Sequence, residues 1–488
     1  MDSLSDTKRS RHINWQYLFA PDSVAVVGAS NTPGSWGYGI MRHLLASAKR
    51  RIYPVNPTVS EVLGIAAYDS VVDIPGSIDL AVIAVSASRV PMVIRECVQK
   101  GVKAAVIVSG GFAETGEQGG KLETDLVKVA RQGDIRFIGP NSMGHADTSS
   151  QLSTLAWTWE ITPGPVGLIS QSGNYGHRII HSGMISGIGF SKFISTGNEA
   201  DLHLEDYLEY LAQDENTKII TVYIEGLREG RRFFQLVKET TPRKPVIAIK
   251  KGGTKGSAKA VASHTGVLAG SEAVYAAAFK QAGVIRVDDD EELCDVVTAL
   301  LNQPLPRNSR IGILTIGGGL GVAAAEACER EGLHVAPIAS STVEKLNTLL
   351  PSRWSHGNPI DMAGISMVES PVIFSCLWTL MEDENIDAIL LQAPVGLGIK
   401  RLSSMFNTKE IGAFREAEEN NLSEVRQRVK RHGKPVFMVS PSVEFATDPQ
   451  VSSLFRSKGI PVYPSPRRAA RVLHHLVWYK RYLDVNER

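Results

Sequence analysis

"GPVGLISQSGNYG", Gly164 to Gly176, runs from a buried-type strand through a serine–glycine turn into a helical pattern. That unit is the building block of a parallel sheet covered by helices. "SVAVVGASNTPGSWG" (Ser23 to Gly37) and "RIGILTIGGGLG" (Arg310 to Gly321) repeat it. Glycine in such a turn permits positive φ and close approach of a ligand to the backbone. The helix that follows offers free N–H groups and the positive end of its dipole to an anion. One turn of this kind is adequately read as a tight connection. Three at corresponding positions point to ligands of the phosphate type.

Around these openings, short β-branched runs alternate with helical patterns nearly from end to end. The first series expects strands in "SVAVVGAS", "RIYPVNP" (Arg51 to Pro57), "LAVIAVS" (Leu80 to Ser86), "AAVIVSGGF" (Ala104 to Phe112) and "IRFIGPN" (Ile135 to Asn141). These runs are continuous rather than alternating, as expected when both faces of a parallel sheet are buried. The polar stretch "HADTSSQLST" (His145 to Thr154) reads as a pause. The second series adds "KIITVYIEG" (Lys218 to Gly226) and "PVIAIKKG" (Pro245 to Gly252). "LNQPLPRNSR" (Leu301 to Arg310) reads as a linker. The third series continues through "AILLQAP" (Ala388 to Pro394) and "KPVFMVSPS" (Lys434 to Ser442). The charged run Lys409 to Lys430 predicts a solvated surface helix.

Composition narrows the class. The 488 residues suffice for two to four domains. A formal charge of +1 gives no electrostatic reason to expect nucleic acid or a membrane surface as partner. No 18-residue apolar run and no signal-peptide pattern are present, so a cytoplasmic location is expected. Cys97, Cys294, Cys328 and Cys376 form no CxxC pair, so reduced thiols and no metal site are expected.

The phosphate ligand is narrowed by what the turns lack. A dinucleotide site needs G-x-G-x-x-G, with an acidic residue about 20 positions later. Here Gly28 is followed by Ser30 and by Pro33, and "YPVNP" supplies no carboxylate. NAD is therefore disfavoured. "KKGGTKGS" (Lys250 to Ser257) has the composition of a P-loop but not its spacing. Downstream, "AVASHTGVLAG" (Ala260 to Gly270) sets His264 among small residues, with glycines 252, 253, 256 and 266 around it. Neutral imidazole is a good nucleophile near pH 7.

The order of "VAVVGAS", "YPVNP", "GFAETGEQG" (Gly111 to Gly119), "GPNSMG" (Gly139 to Gly144), "SQSG" (Ser170 to Gly173), "TGNEAD" (Thr196 to Asp201), "SHTGVLAGSEAVYAAAFKQAGVIRV" (Ser263 to Val287), "GGGLGV" (Gly317 to Val322) and "GNPIDMAG" (Gly357 to Gly364) resembles the α subunit of the ADP-forming (NDP-forming) acyl-CoA synthetases, relatives of succinyl-CoA synthetase. The resemblance implies an α/β chain of three doubly wound domains. A Rossmann-like CoA-binding domain would cover 15–147. Flavodoxin-like ligase domains would cover 160–302 and 308–484. It implies the reaction acid + CoA + ATP giving acyl-CoA + ADP + phosphate, through an acyl phosphate and a phosphohistidine at His264. Glu225 matches the carboxylate that orients the imidazole, with Glu199 a weaker candidate.

By the same resemblance, Ser172 and Gly173 face the phosphoryl group from one side, and Gly318 and Gly319 from the other. Gly28, Ser30, Gly34 and Ser35 would hold CoA phosphates, with Val55, Asn56 and Pro57 near the adenine. ATP or ADP, with Mg, would sit on a β partner carrying an ATP-grasp module, in an α2β2 assembly. The acid is expected to be small, such as acetate. Alternatives are a polar or aryl acid such as sulfoacetate, or a non-catalytic acyl-CoA-binding protein of the same fold. Trp157, Trp159 and Trp354 are candidates to line the acid pocket. Three departures from the family pattern stand out: Ser142 for a common cysteine, Ser86 for a proline and Ile316 for an asparagine.

Overall fold

β1 (Ser23–Val27) lies between β2 (Arg51–Val55) and β5 (Leu80–Ile83), and all five of its residues are buried. The computed structural model describes residues 13–486 apart from 48, 158, 255, 258–270, 363–369, 393–407 and 440–448. β6 (Ala104–Ile107) and β7 (Arg136–Ile138) complete a parallel sheet of order β2-β1-β5-β6-β7. A small hairpin, β3 (Glu61–Val62) and β4 (Ile65–Ala66), interrupts the path from β2 to β5. Helices α1 (Trp15–Phe19), α2 (Trp36–Leu45), α3 (Val90–Lys100) and α4 (Glu117–Gln132) belong to this series. α3 has proline in its first turn and ends on Gly101 at φ +75°, a left-handed stop that spares its last carbonyls.

The second sheet has the order β14-β13-β12-β10-β11-β8-β9. β10 (Pro163–Ser170), β11 (Phe190–Ser195), β12 (Ile219–Ile224), β13 (Val246–Lys250) and β14 (Ile285–Val287) run parallel. Between them come α5 (Gly173–Ile185), α6 (Leu204–Gln213), α7 (Gly230–Thr240) and the helix Glu272–Ala282. β8 (His145–Asp147) and β9 (Leu152–Ser153) add an antiparallel hairpin beside β11. The "HADTSSQLST" stretch is therefore an edge of the sheet and not a pause. Its buried polar residues, His145, Asp147 and Thr154, are paired. His145 Nε2 lies 2.7 Å from the Leu18 carbonyl and its Nδ1 lies 3.0 Å from Thr154 Oγ1. Burial pushes the His145 pKa down to about 4, so the ring is neutral at pH 7. Lys192 of β11, also buried, sits 2.9 Å from Asp214 and 3.3 Å from Asp147.

These two sheets form one unit, Met1–Asp290; a second unit is Glu291–Arg488. The second unit contains β15 (Arg310–Thr315), β16 (His334–Val335), β18 (Ala388–Gln392), β19 (Val436–Val439) and β20 (Val462–Tyr463) in the order β16-β15-β18-β19-β20, with β17 (Ile360–Asp361) beside β15. The charged run falls in the helix Thr408–His432, whose Leu422, Val425 and Val429 make one buried stripe along an otherwise polar surface. No described helix is long and apolar enough to cross a membrane.

Counting only the main parallel strands of each series, all three sheets read 2-1-3-4-5. The order reverses between the first and third strands. There the loops leaving the carboxyl ends of the strands diverge and open a crevice for ligands. Each of the three glycine turns follows the first strand of its sheet, and so stands at that point.

Candidate active site

At the second sheet's crevice, β10 ends at Ser170 and α5 begins at Gly173. Ser172 caps α5: its hydroxyl accepts from the Tyr175 amide at 3.3 Å. No acidic residue lies in the first turn of α5, so its dipole end is left for an external anion. A Cβ on Gly173 would fall 2.3 Å from Met143 Cγ, so any larger residue here displaces that side chain.

Gln171, inside the turn, makes four hydrogen bonds. Its Oε1 accepts from the backbone amides of Glu225 at 2.6 Å and Gly226 at 3.0 Å. Its Nε2 donates to the Gly226 carbonyl at 2.7 Å and to Glu199 Oε1 at 3.0 Å. Thr196 Oγ1 donates to the same Glu199 oxygen at 2.8 Å. Glu225 immediately follows β12 and is 5% exposed. Its carbonyl accepts from Lys250 Nζ at 2.9 Å. Lys250, the last residue of β13, also donates to the Lys251 carbonyl and stands 4.6 Å from the centre of the Tyr275 ring.

The charges here are strongly modulated by burial. Desolvation raises the Glu199 pKa to about 7, helped by the neighbouring Glu205 charge and opposed by the bonds from Gln171 and Thr196. Glu205 is raised as well, chiefly by burial; its Oε1 accepts from the Glu229 amide at 3.1 Å. Burial lowers the Lys250 pKa. The crevice thus combines a helix N-terminus with buried carboxylates. Such a site can hold a phosphoryl group and steady positive charge on an attacking imidazole. Among the described residues, no group of three or more His, Cys, Asp or Glu side chains is placed to hold a metal ion.

The first crevice is built differently. Gly28 has φ +88°, and a Cβ there would lie 2.4 Å from the Ala84 carbonyl oxygen. Its amide donates to the Val55 carbonyl at 3.0 Å. Ser30 Oγ accepts from the Thr32 amide, and Ser35 Oγ caps α2 at Tyr38. Asn56 Nδ2 donates to the Ala29 carbonyl at 2.8 Å while its Oδ1 accepts from Thr58, which ties the turn to the end of β2. Pro57 is exposed beside it and Val55 is buried. Gly34 and Ser35 also border a cavity of about 110 Å³, together with Tyr38, Arg42, His43 and Trp157. The backbone approach and the uncharged strand ends fit phosphate groups that are held without themselves reacting.

In the second unit, Gly317 caps the helix Gly318–Arg330 through its backbone alone. A Cβ on Gly318 would lie 3.3 Å from Asp361 Oδ2, and one on Gly319 would meet nothing within 4 Å. Ile316 packs on the core of this sheet. Trp354 is buried in that core, with Nε1 bonded to Asn347, and so lines no open pocket there. His264 lies outside the described residues. Ser142 donates to the Ser195 carbonyl at 2.5 Å and accepts from the Gly144 amide, so its hydroxyl fastens the loop after β7. Sequence reasoning brought Glu199, Glu225, Ser172 and Gly173 to one place. It passed over Gln171, although that residue lies inside the quoted "SQSG" motif, and it offered Lys250 only as a contact for a phosphate in transit or a solvated side chain, whereas Lys250 ends a buried strand, an unusual place for an ammonium, and donates to the Glu225 and Lys251 carbonyls.

Two family models match the chain. A CoA binding domain model matches residues 22–147, and a succinyl-CoA ligase like flavodoxin domain model matches residues 163–300. The α subunit of acetate–CoA ligase [ADP-forming] II from Pyrococcus furiosus is 39% identical over 465 residues, covering 94% of this chain and 97% of that one. 4-Hydroxybutyrate–CoA ligase [ADP-forming] from Nitrosopumilus maritimus is 37% identical over 351 residues, 71% of this chain and 50% of that one. The dinucleotide forming acetyl-coenzyme A synthetase 1 of Ca. Korarchaeum cryptofilum, solved in complex with phosphate and ADP, superposes with a TM-score of 0.81 at 31% identity, covering 96% of this chain and 98% of that one.

Proposed function

The chain belongs to the α-subunit family of the ADP-forming acid–CoA ligases, enzymes of the acid–thiol ligase class, and from that membership we propose that it activates a small carboxylic acid such as acetate by way of a phosphohistidine at His264. In this reading a ring nitrogen of His264 takes the phosphoryl group of ATP as ADP leaves. The same nitrogen then yields it to a carboxylate oxygen of the acid. The CoA thiol displaces phosphate from the resulting acyl phosphate. Glu225 orients the imidazole and steadies its positive charge, as the acid of a triad does. The α5 N-terminus, with Ser172 and Gly173, receives the phosphoryl oxygens. Gly318 and Gly319 open a second helix for the same kind of oxygen in the other unit. The first turn, Gly28 to Ser35 with Val55, Asn56 and Pro57, binds CoA. Nucleotide binding is assigned to a separate β subunit with an ATP-grasp module.

One observation supports this reading most: Glu225 is buried at the end of β12, bonded through its amide to the turn that opens α5 at the crevice of the second sheet. The test is co-expression with the β subunit, followed by incubation with radiolabelled ATP. The α chain should take up label, and His264→Ala should not. An unlabelled wild-type complex, or a labelled His264→Ala chain, overturns the reading.

A further inference from the structure

We propose that Gln171 and Lys250 are positioning residues that fix the backbone of Glu225 from both sides, and that Glu199 in turn fixes Gln171. The inference rests on the phosphohistidine reading given above and names residues to which that reading assigns no role.

The geometry leaves Gln171 one orientation. Its oxygen faces two amide donors, from Glu225 and Gly226, and its nitrogen faces two acceptors, the Gly226 carbonyl and the Glu199 carboxylate. Turning the amide over would set oxygen against oxygen and N–H against N–H at all four contacts. A buried amide with both ends satisfied is held far more firmly than a surface glutamine, because each broken bond leaves an unpaired group out of water. Glu199 is held in turn by Thr196. On the other side, the Glu225 carbonyl is fastened by Lys250, and the ring of Tyr275 stands against that ammonium. Both backbone groups of Glu225 are thus pinned by side chains from neighbouring strand ends, β10 and β13. This is more than a loop at a strand end needs for stability, and it is what a carboxylate requires if its place must be kept to a fraction of an ångström.

The test uses the complete complex and follows two quantities, the rate of His264 phosphorylation from radiolabelled ATP and the KM for CoA. Gln171→Ala should slow phosphorylation by roughly 10–100-fold, the scale of a misplaced group, with KM for CoA unchanged. Lys250→Met should act in the same direction. The decisive comparison is with Glu225→Gln. If Gln171 acts through Glu225, adding Gln171→Ala to Glu225→Gln should cost less than about twofold more, because residues acting as a unit are not additive. Gln171→Glu keeps both amide acceptances but loses both donors and sets a second carboxylate against Glu199. Adding Glu199→Gln restores a donor between the two and should recover about tenfold of the lost rate. This isosteric pair keeps the test open if Gln171→Ala fails to fold.

If Glu225→Gln slows phosphorylation but the Gln171 and Glu225 losses multiply, or the exchange recovers nothing, the positioning role is wrong and the phosphohistidine reading stands. If Glu225→Gln is phosphorylated at the wild-type rate, the role given to Glu225 fails and the positioning role falls with it.

Discussion

The turns after β1 and β10 open sheets of the same strand order within one unit, yet their surroundings differ in kind. Beside β1, the flanking strand ends supply Asn56 after β2 and Ala84 after β5, and the turn is closed by neutral bonds to backbone. Beside β10, the corresponding positions supply Glu199 after β11 and Glu225 after β12, with Lys250 ending β13. The topology decides where a ligand sits; the residues just past the neighbouring strands decide whether it is only held. Neutral ends at the first crevice suit phosphate groups that are bound without themselves reacting. Buried charge at the second suits a group that changes its bonding.

The sharpest way to break this contrast is Glu225→Gln, which keeps size and removes the charge. Phosphorylation of His264 should slow by roughly 10³-fold, within the range for losing the carboxylate behind a catalytic imidazole. The protein should keep its melting temperature. An unchanged labelling rate would mean that the charge at the second crevice is structural. Next in size is Gly28→Ala in the first. Positive φ costs about 1–2 kcal/mol for a residue with a Cβ, and forcing atoms to 2.4 Å from the Ala84 oxygen adds about 1–3 kcal/mol. Gly34→Ala shares the positive φ of +85° but meets nothing within 4 Å, so only the first cost, about 1–2 kcal/mol, should appear. Urea unfolding of the two variants side by side separates these contributions. Equal losses would refute the close packing of the first turn.

The contrast also accounts for what the sequence disclosed. The three strand–glycine–helix openings were legible because apolar runs buried on both faces read plainly. β8, β9 and β11 were not legible as strands, because "HADTSSQLST" and "FSKFIS" are polar where the sheet is buried. Their serines, His145 and Lys192 are admitted by partners such as Leu18, Thr217, Asp147 and Asp214, which lie far off in the chain. Glu225 was legible from its place at the end of an apolar strand, within a family motif. Gln171 was not, for its meaning depends on the positions of Glu199, Glu225 and Gly226. No local pattern reports that convergence.

Acidity offers a smaller test of the second crevice. Glu199 keeps its proton to about pH 7 in the folded chain, against the ordinary 4.5. The folded state therefore binds more protons than the unfolded one between those values, so stability falls as pH rises from 4.5 to 7. Below that window the group contributes no difference. Above it the penalty is complete, at most roughly 3 kcal/mol. The charges on Glu205 and Arg228 act on Glu199 in opposite senses, and Gln171 and Thr196 bond to it. Glu199→Gln should flatten the pH dependence of unfolding over this range, leaving a residual slope from Glu205, whose pKa burial also raises. An unchanged slope would remove Glu199 from the set of groups that set the crevice's electrostatics.

The third turn gives the smallest effect and the clearest separation of fold from function. A Cβ on Gly173 would displace the Met143 side chain, and Gly28 is dictated by the backbone its Cβ would strike. Gly319 is not: within its own unit a Cβ there meets no described atom within 4 Å, and the residue lies in the first turn of the helix Gly318–Arg330. Alanine is the better helix former and has less freedom to lose on folding. Gly319→Ala should therefore stabilise the protein by about 0.4–1 kcal/mol. A glycine that the fold would exchange for alanine has another reason to be there, and close approach of a phosphoryl oxygen to the backbone is the one the turn suggests. The same variant should then lose ligase activity while gaining melting temperature. Higher stability with full activity would make the third turn a connection and nothing more.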